Sequence, residues 1–575
     1  MSEQQPKGRG RTQGVYFSIM SFFRPSKDPR TPVKGFMPRF KNLMAKHFRG
    51  LIGMAVPVCA LTWQGEKGVH HITVQCMWMW MFWFFLLQPV SIPVTALIPI
   101  FLLPMAGVLS TLRTCGCYFN ENMALFVLSS MLILLLNNSG ADRRIALSLI
   151  CSGDNCQFSG KRLVFKCSVA AFFLSMFSNR LIISSTIMQY ITPALTELQA
   201  STASSRATEP DYNEMRYIIN NAIQTASSIG SIAIMHSAYA SLCFRTIFCE
   251  SAPRGQEYPD IFNYFQYSAF AFPVAFIMFV LNFAYHMILI NKCVCKAMTY
   301  GVLHDIRPRY ILSPLEYFLN MGWADFARDE SSPQIPRVKD ATVAAIFVIA
   351  LHILPKGYAW LNYFSAESKK SELPPLRPES AILWWRFVDK NLNYGYIFLI
   401  RSKKQTESGC KAAVSNIPGS GVALQVAIKH TGLDDDIVAH FGKVFTDHEF
   451  STSLFLVCLV AVIMSNAMSG VAACVSFLPL ILSMAAEPPP DAVTFRSIRD
   501  WPVKMYLGAL GVGLASSFGF MFPFLYTPAY YCHYTGKVPM KKMAKYSIGS
   551  VIICLIILWL ALMYYAPVIW DPEGT

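Results

Sequence analysis

Two dipeptides stand out for their chemistry. Ser178-Asn179 and Ser465-Asn466 each interrupt a long apolar segment. Hydroxyl and amide groups both donate and accept hydrogen bonds. In the middle of a segment that enters a bilayer, such groups cost free energy unless something binds there. One pair in each half of a membrane chain is the expected mark of a transporter built from inverted repeats, with its site near the midplane. The bland alternative is that Ser and Asn glue helices together. Their matching positions in the two halves favour binding. Two further polar interruptions accompany them. Thr225-Ala-Ser-Ser-Ile-Gly-Ser231 lies within the apolar run 218–248. Gly230, flanked by serines, either unwinds a helix and offers carbonyls to a cation or serves small-residue packing. Tyr526-Thr527-Pro528 breaks the run 503–531. His236 reads as a packing residue or as a proton-coupling group.

The elements that must position these groups are membrane elements. The chain of 575 residues is 54% hydrophobic and 14% charged, with mean hydropathy +0.38, a composition of polytopic membrane proteins. The net charge of +15 does not imply nucleic acid, because residues 1–49 hold eleven Lys/Arg against Glu3 and Asp28. A basic tail before the first span predicts a cytoplasmic N-terminus and contact with membrane lipid. No cleavable signal peptide is expected. The sixteen cysteines are scattered; Cys115/Cys117 and Cys293/Cys295 lack partners at zinc spacing and read as structural. No nucleophile–base pair, metal cluster or phosphate-binding glycine loop is legible, which argues against an enzyme.

The reading divides the chain into a basic tail (1–49), a first membrane half (50–296), a polar linker (297–340), a second membrane half (341–566) and a C-terminal tail (567–575). Spans are expected at 51–63, 72–87, 90–109, 123–136, 218–248, 264–290, 341–354, 392–428, 503–531 and 548–565, with a basic amphipathic piece at 142–162. Prolines 93, 99 and 104 predict a kinked or packed 90–109. Residues 163–193 are long for one crossing and short for two, so they read as a re-entrant helical hairpin; 454–485 reads as its counterpart. Polar residues 401–420 interrupt 392–428. Lys292/Lys296 and the basic loop Lys537–Lys545 should share the cytoplasmic side, which needs an even number of crossings between them. Three are found, so either one span is lost or the interrupted one does not cross.

At this point the chain resembles the divalent anion/sodium symporter family, the INDY-like sodium-dependent dicarboxylate and citrate carriers, over most of its length. The residues that carry the resemblance are Gln88-Pro-Val-Ser-Ile-Pro-Val-Thr-Ala-Leu-Ile-Pro99, Arg143-Arg-Ile-Ala-Leu147, Phe173-Leu-Ser-Met-Phe-Ser-Asn179, Ser228-Ile-Gly230, Lys339-Asp-Ala-Thr-Val-Ala344, Ser465-Asn466 and Pro523. The resemblance implies an all-α fold of about 10–11 transmembrane helices in two inverted repeats, each with a re-entrant hairpin, in a homodimer whose protomers have a scaffold and a moving transport part. It implies secondary transport of di- and tricarboxylates across the plasma membrane by alternating access, coupled to sodium. Ser178, Asn179, Arg180, Ser465, Asn466, Thr527 and Pro528 would then touch substrate, and Ser175, Asn179, Gly230 and Asn466 would hold sodium. Amide and hydroxyl donors and helix N-termini suit carboxylate oxygens.

Departures from the pattern are as informative. Arg180 stands where the family has Thr, the second motif reads Ser465-Asn-Ala467, and Leu525-Tyr-Thr-Pro-Ala529 replaces the family's last unwound stretch. The family's seventh helix is missing between 315 and 321, and 401–420 reads as an insertion. A guanidinium near the midplane costs roughly 3 kcal/mol. Arg180 either pairs with an anionic substrate, partly replacing sodium, or snorkels to the cytoplasmic side or fills a disabled site. The alternatives to a sodium symporter are a sodium-independent anion exchanger, a sulfate carrier, and a non-transporting member with a binding role.

Overall fold

The computed structural model describes residues 69–87, 92–118, 157–158, 160–177, 180–202, 212–250, 264–291, 298–299, 340–353, 416–437, 450–486, 506–523 and 527–570, with isolated positions at 128, 131 and 388. The tails 1–49 and 571–575, the span expected at 51–63, that at 123–136 apart from positions 128 and 131, residues 142–156, 300–339 and 401–415, and the pair Ser178-Asn179 lie outside the described residues.

Helix α1, Val69–Leu87, is polar in its first turns, with His70, His71, Thr73 and Gln75, and apolar and aromatic from Cys76 onward. Its aromatic ridge is a packing surface: Trp78 Nε1 donates to the Ser476 carbonyl at 3.0 Å, and Phe82 meets Phe477 edge to face at 6.1 Å. Residues 90–109 do not form one kinked helix. They fall into α2, Ile92–Thr95, and α3, Ile98–Met105, with α4, Thr111–Gly116, following; each proline removes a backbone donor and clashes with the preceding turn.

Next come α5, Gly160–Phe177, and α6, Arg180–Thr202, which pack on each other across 178–179. The arms outrun the expected 163–193: Pro193 sits inside α6 instead of ending it. Helix α7, Tyr212–Ile232, also begins within the stretch read as polar, 197–217. After a 3-10 turn at Met235–Ser237 the chain resumes as α8, Tyr239–Glu250. Helix α9, Tyr264–Asn291, α10, Asp340–Ile353, and α11, Asn416–Thr431, follow. Residues 416–420 were read as the end of an insertion; they are the first turn of α11, and Ser420 is buried.

The second half repeats the order. Helices α12, Phe450–Ala467, and α13, Gly470–Ala486, pack on each other. Helix α14, Tyr506–Ala515, ends in a non-helical stretch, 516–523, and α15, Thr527–Tyr534, follows. The break therefore falls before Thr527-Pro528. Those residues open α15, where a proline's missing N–H costs nothing. Helix α16, Met540–Leu560, runs on through a π-turn at Ala561–Tyr565 to Ile569. Lys541, Lys542 and Lys545, read as part of a loop, lie on its first turns, where long cationic side chains can reach water.

Apart from a two-residue antiparallel ladder, Gln157–Phe158 against Met298–Thr299, the described residues are helical or connecting. Three helices among them are long and apolar enough to cross a bilayer: Phe265–Ile290, Phe450–Ala467 and Met540–Ile569. Phe272, Phe276 and Ile277 on α9 and Ile548, Ile552 and Ile556 on α16 are exposed apolar groups on helices that also pack inward, which is the two-faced pattern of lipid-contacting spans. The chain is an all-α integral membrane protein.

The packing crosses between the halves. Helix α7 lies against α5 and α6, its own hairpin, while α8 leaves the break to rest on α13 and α11. In the second half α14 touches α12 through Gly511 beside Cys458 and α13 through Gly508 beside Ile481, while α15 leaves its break to rest on α6 and α7. Each broken helix thus begins on one hairpin and finishes on the other.

Candidate functional site

The candidate site is built where the helix pairs α5–α6 and α12–α13 meet the two breaks. In the first half the contact is made by Gly230. A Cβ there would overlap the Phe172 carbonyl oxygen and the Ser175 hydroxyl, so only glycine lets α7 approach α5 this closely. The helix stays wound through Gly230, as the packing alternative has it, and opens at 233–238. Ser175 is buried, with its hydroxyl donating to the Phe172 carbonyl at 3.0 Å. Ser237, in the 3-10 turn, donates to the Met176 carbonyl. The Tyr267 hydroxyl of α9 bridges the opening, 3.1 Å from the Ile232 carbonyl and 2.9 Å from Ser241 Oγ.

Arg180 is the first residue of α6 and is only 7% exposed. Its Nη1 donates to Ser231 Oγ at 3.3 Å, in the last turn of α7. One turn along, Ser184 Oγ bonds to both the Arg180 carbonyl and Ser227 Oγ. The guanidinium is therefore held inside the protein beside the first break. It does not snorkel away from it. A fixed cation at a helix N-terminus favours an anion.

In the second half Gly470 plays the matching part: a Cβ there would overlap the Ser516 carbonyl. Ser469 caps α13, its Oγ accepting from the Ala472 N–H at 3.2 Å. Ser465, 1% exposed, donates to Val462 O at 2.9 Å. Asn466 grips the break. Its Nδ2 donates to Val462 O at 2.8 Å and to Phe518 O at 3.2 Å, and its Oδ1 accepts from the Met521 N–H at 2.9 Å. Both amide hydrogens are spent, so in this conformation Asn466 offers an anion no donor. One lone pair of Oδ1 remains, which suits a cation.

The expected residues thus form two clusters: Ser175, Arg180 and Gly230 at the first break, Ser465 and Asn466 at the second. Pro528 is buried at the start of α15, and that helix rests on α6 and α7. Sequence reasoning missed the residue that joins the clusters. Gln224 of α7 is fully buried, and its Nε2 donates to the Phe520 carbonyl at 2.7 Å. That carbonyl and the Met521 N–H belong to one peptide group. Its oxygen is held by Gln224 from the first half and its N–H by Asn466 from the second. The available signal was the spacing of Asn220, Gln224, Ser227 and Ser231, a polar stripe at helical period.

The described residues also line a cavity of about 560 Å³. There His71 Nε2 lies 2.8 Å from Asp436 Oδ2, and none of the lining residues belongs to a hairpin or a broken helix. The convergence of polar groups is at the breaks, which makes them the candidate site. Among the described residues no three His, Cys, Asp or Glu side chains gather as a metal site; a cation here would rely on neutral oxygens.

Comparison with known proteins adds an independent line. A family model described as "Citrate transporter" matches residues 82–498. The protein "I'm not dead yet" of Drosophila melanogaster is 23% identical over 588 aligned residues, covering 93% of this chain and 90% of the fly protein. The Na(+)/citrate cotransporter of Mus musculus is 21% identical over 501, covering 76% and 80%. The sodium-dependent low-affinity dicarboxylate transporter 1 of Caenorhabditis elegans is 23% identical over 253, covering 44% and 35%. With the matched segment spanning both hairpins and both halves of the first broken helix, the chain belongs to the citrate transporter family.

Proposed function

We propose that this chain is a secondary carrier that moves di- and tricarboxylates of the succinate and citrate class across the plasma membrane by alternating access. The observation that carries the reading is the seating of each hairpin on a broken helix, through Gly230 at Ser175 and Gly470 at Ser516. Helix α14 stops at Ala515, about midway along the apolar run 503–531; a tip that meets its end there lies near the midplane. This supports re-entrant hairpins. The recurring order of hairpin then broken helix, with crossed packing, supports inverted repeats. Names of relatives support the substrate class and a sodium-coupled cycle. The basic tail supports a cytoplasmic N-terminus, and the family resemblance supports a homodimer.

In this reading the Arg180 guanidinium and the N-terminus of α6 attract one carboxylate of the substrate, while Asn466 Oδ1 and carbonyls of the second break face the coupling ion. A second reading, sodium-independent exchange, is favoured by the same Arg180, a permanent cation beside the first break. Uptake of labelled succinate and citrate by cells expressing the chain, normalised to surface protein, separates them. Uptake in sodium but not choline buffer supports symport; equal uptake in both supports exchange; none from well-displayed protein contradicts carboxylate transport.

A further inference from the structure

The 520–521 peptide group has a grip on each end, and only one of them comes from a Ser-Asn pair. The other, Gln224, is held at some cost. Its Nε2 is satisfied by Phe520 O, but its Oε1 is buried with no hydrogen-bond partner among the described residues. A half-satisfied buried amide is worse for stability than an apolar side chain of the same shape. Stability alone therefore gives no reason for a glutamine here; a donor aimed at one carbonyl does. The same wound helix carries Gln224 near its middle and Ser231 in its last turn, and Ser231 holds Arg180. Seven residues of helix make a rigid link of about 10 Å between the two contacts.

We propose that Gln224 is a positioning residue for transport: by clamping the 520–521 peptide it couples the hairpin tip at Arg180 to the break held by Asn466. The inference rests on the carrier reading for its use but on this geometry for its existence. When substrate draws on the guanidinium, the Ser231 end of α7 shifts. Gln224 then loosens or tightens its hold on Phe520 O, and the Asn466 contact on the same peptide changes with it. Occupancy of one cluster is thus reported to the other.

The test uses the full-length protein in lipid nanodiscs and needs no substrate. Hydrogen–deuterium exchange is measured over 516–523, with each variant compared with wild type at the same pH. Gln224→Met removes the donor while keeping the length, and exchange there should rise roughly tenfold, the worth of one buried hydrogen bond. Gln224→Glu supplies an O–H donor when protonated and only acceptors when ionised. It should match wild type near about pH 5.5 and resemble Gln224→Met near about pH 9. Exchange in Gln224→Met at the wild-type level overturns the proposal, as does Gln224→Glu exchange raised equally at both ends of the range, which a purely structural defect would give. The Gln224→Glu series is internally controlled, so poor folding of Gln224→Met leaves the question decidable. Because exchange is read without substrate, a chain that carries no carboxylate would sink the transport reading and leave this result standing by itself.

Discussion

At the scale of single residues, the site depends on where hydrogen-bond donors end up. Arg180 is held by Ser231 beside the first break, and Asn466 has both amide hydrogens on protein carbonyls. The two clusters are therefore unlike: the first presents positive charge, the second oxygen lone pairs. Removing the charge should tell them apart. Arg180→Gln should weaken citrate binding by about 2 kcal/mol, roughly a thirtyfold rise in KM, with surface expression retained; uptake measured against substrate concentration checks this, and an unchanged KM would place the guanidinium off the substrate path. Ser465-Asn466 is conspicuous in the sequence as a polar pair in an apolar segment, and Asn466 lies against the second break; Ser178-Asn179 lies outside the described residues. Gln224 is not conspicuous. Nothing in its residue type says that its donor is aimed at a carbonyl 296 positions away, among several polar residues on the same helix.

At the scale of elements, the hairpins and broken helices were legible as types, and their limits were not. Gly230 left unwinding and small-residue packing both open; α7 continues past it, and the glycine serves close approach to α5. The opening lies at 233–238, where the Tyr267 hydroxyl of α9 reaches in to the Ile232 carbonyl and Ser241 Oγ. Tertiary donors decide where a membrane helix can afford to open, and local sequence does not contain them. Likewise Tyr526-Thr527-Pro528 drew attention from Ser516-Ser517, where α14 stops. The glycine contacts themselves are open to test. Gly230→Ala and Gly470→Ala should each cost about 1–3 kcal/mol by overpacking, seen as lower melting temperatures in detergent. Gly116→Ala, with open space around it, should change little. Equal melting of all three variants would mean the hairpins do not seat on the breaks as described.

For the whole molecule, composition alone settled the class: few soluble chains of this length are so apolar. The crossed arrangement was not foreseeable, because it depends on α8 resting on α13 and α15 on α6, contacts between halves with no local signature. That crossing has a mechanical consequence. Neither hairpin can move without carrying part of the other half's broken helix, so the two hairpins and two broken helices should travel as one unit past the remaining spans. The central claim, that carboxylates move through this chain, is tested most directly by counterflow in proteoliposomes of purified protein. Vesicles loaded with unlabelled citrate or succinate and diluted into trace labelled substrate, with the same ions on both sides, should transiently accumulate label, and empty vesicles should not. This holds for symport and exchange alike. No accumulation above protein-free liposomes, from protein shown to be folded and inserted, would contradict the account.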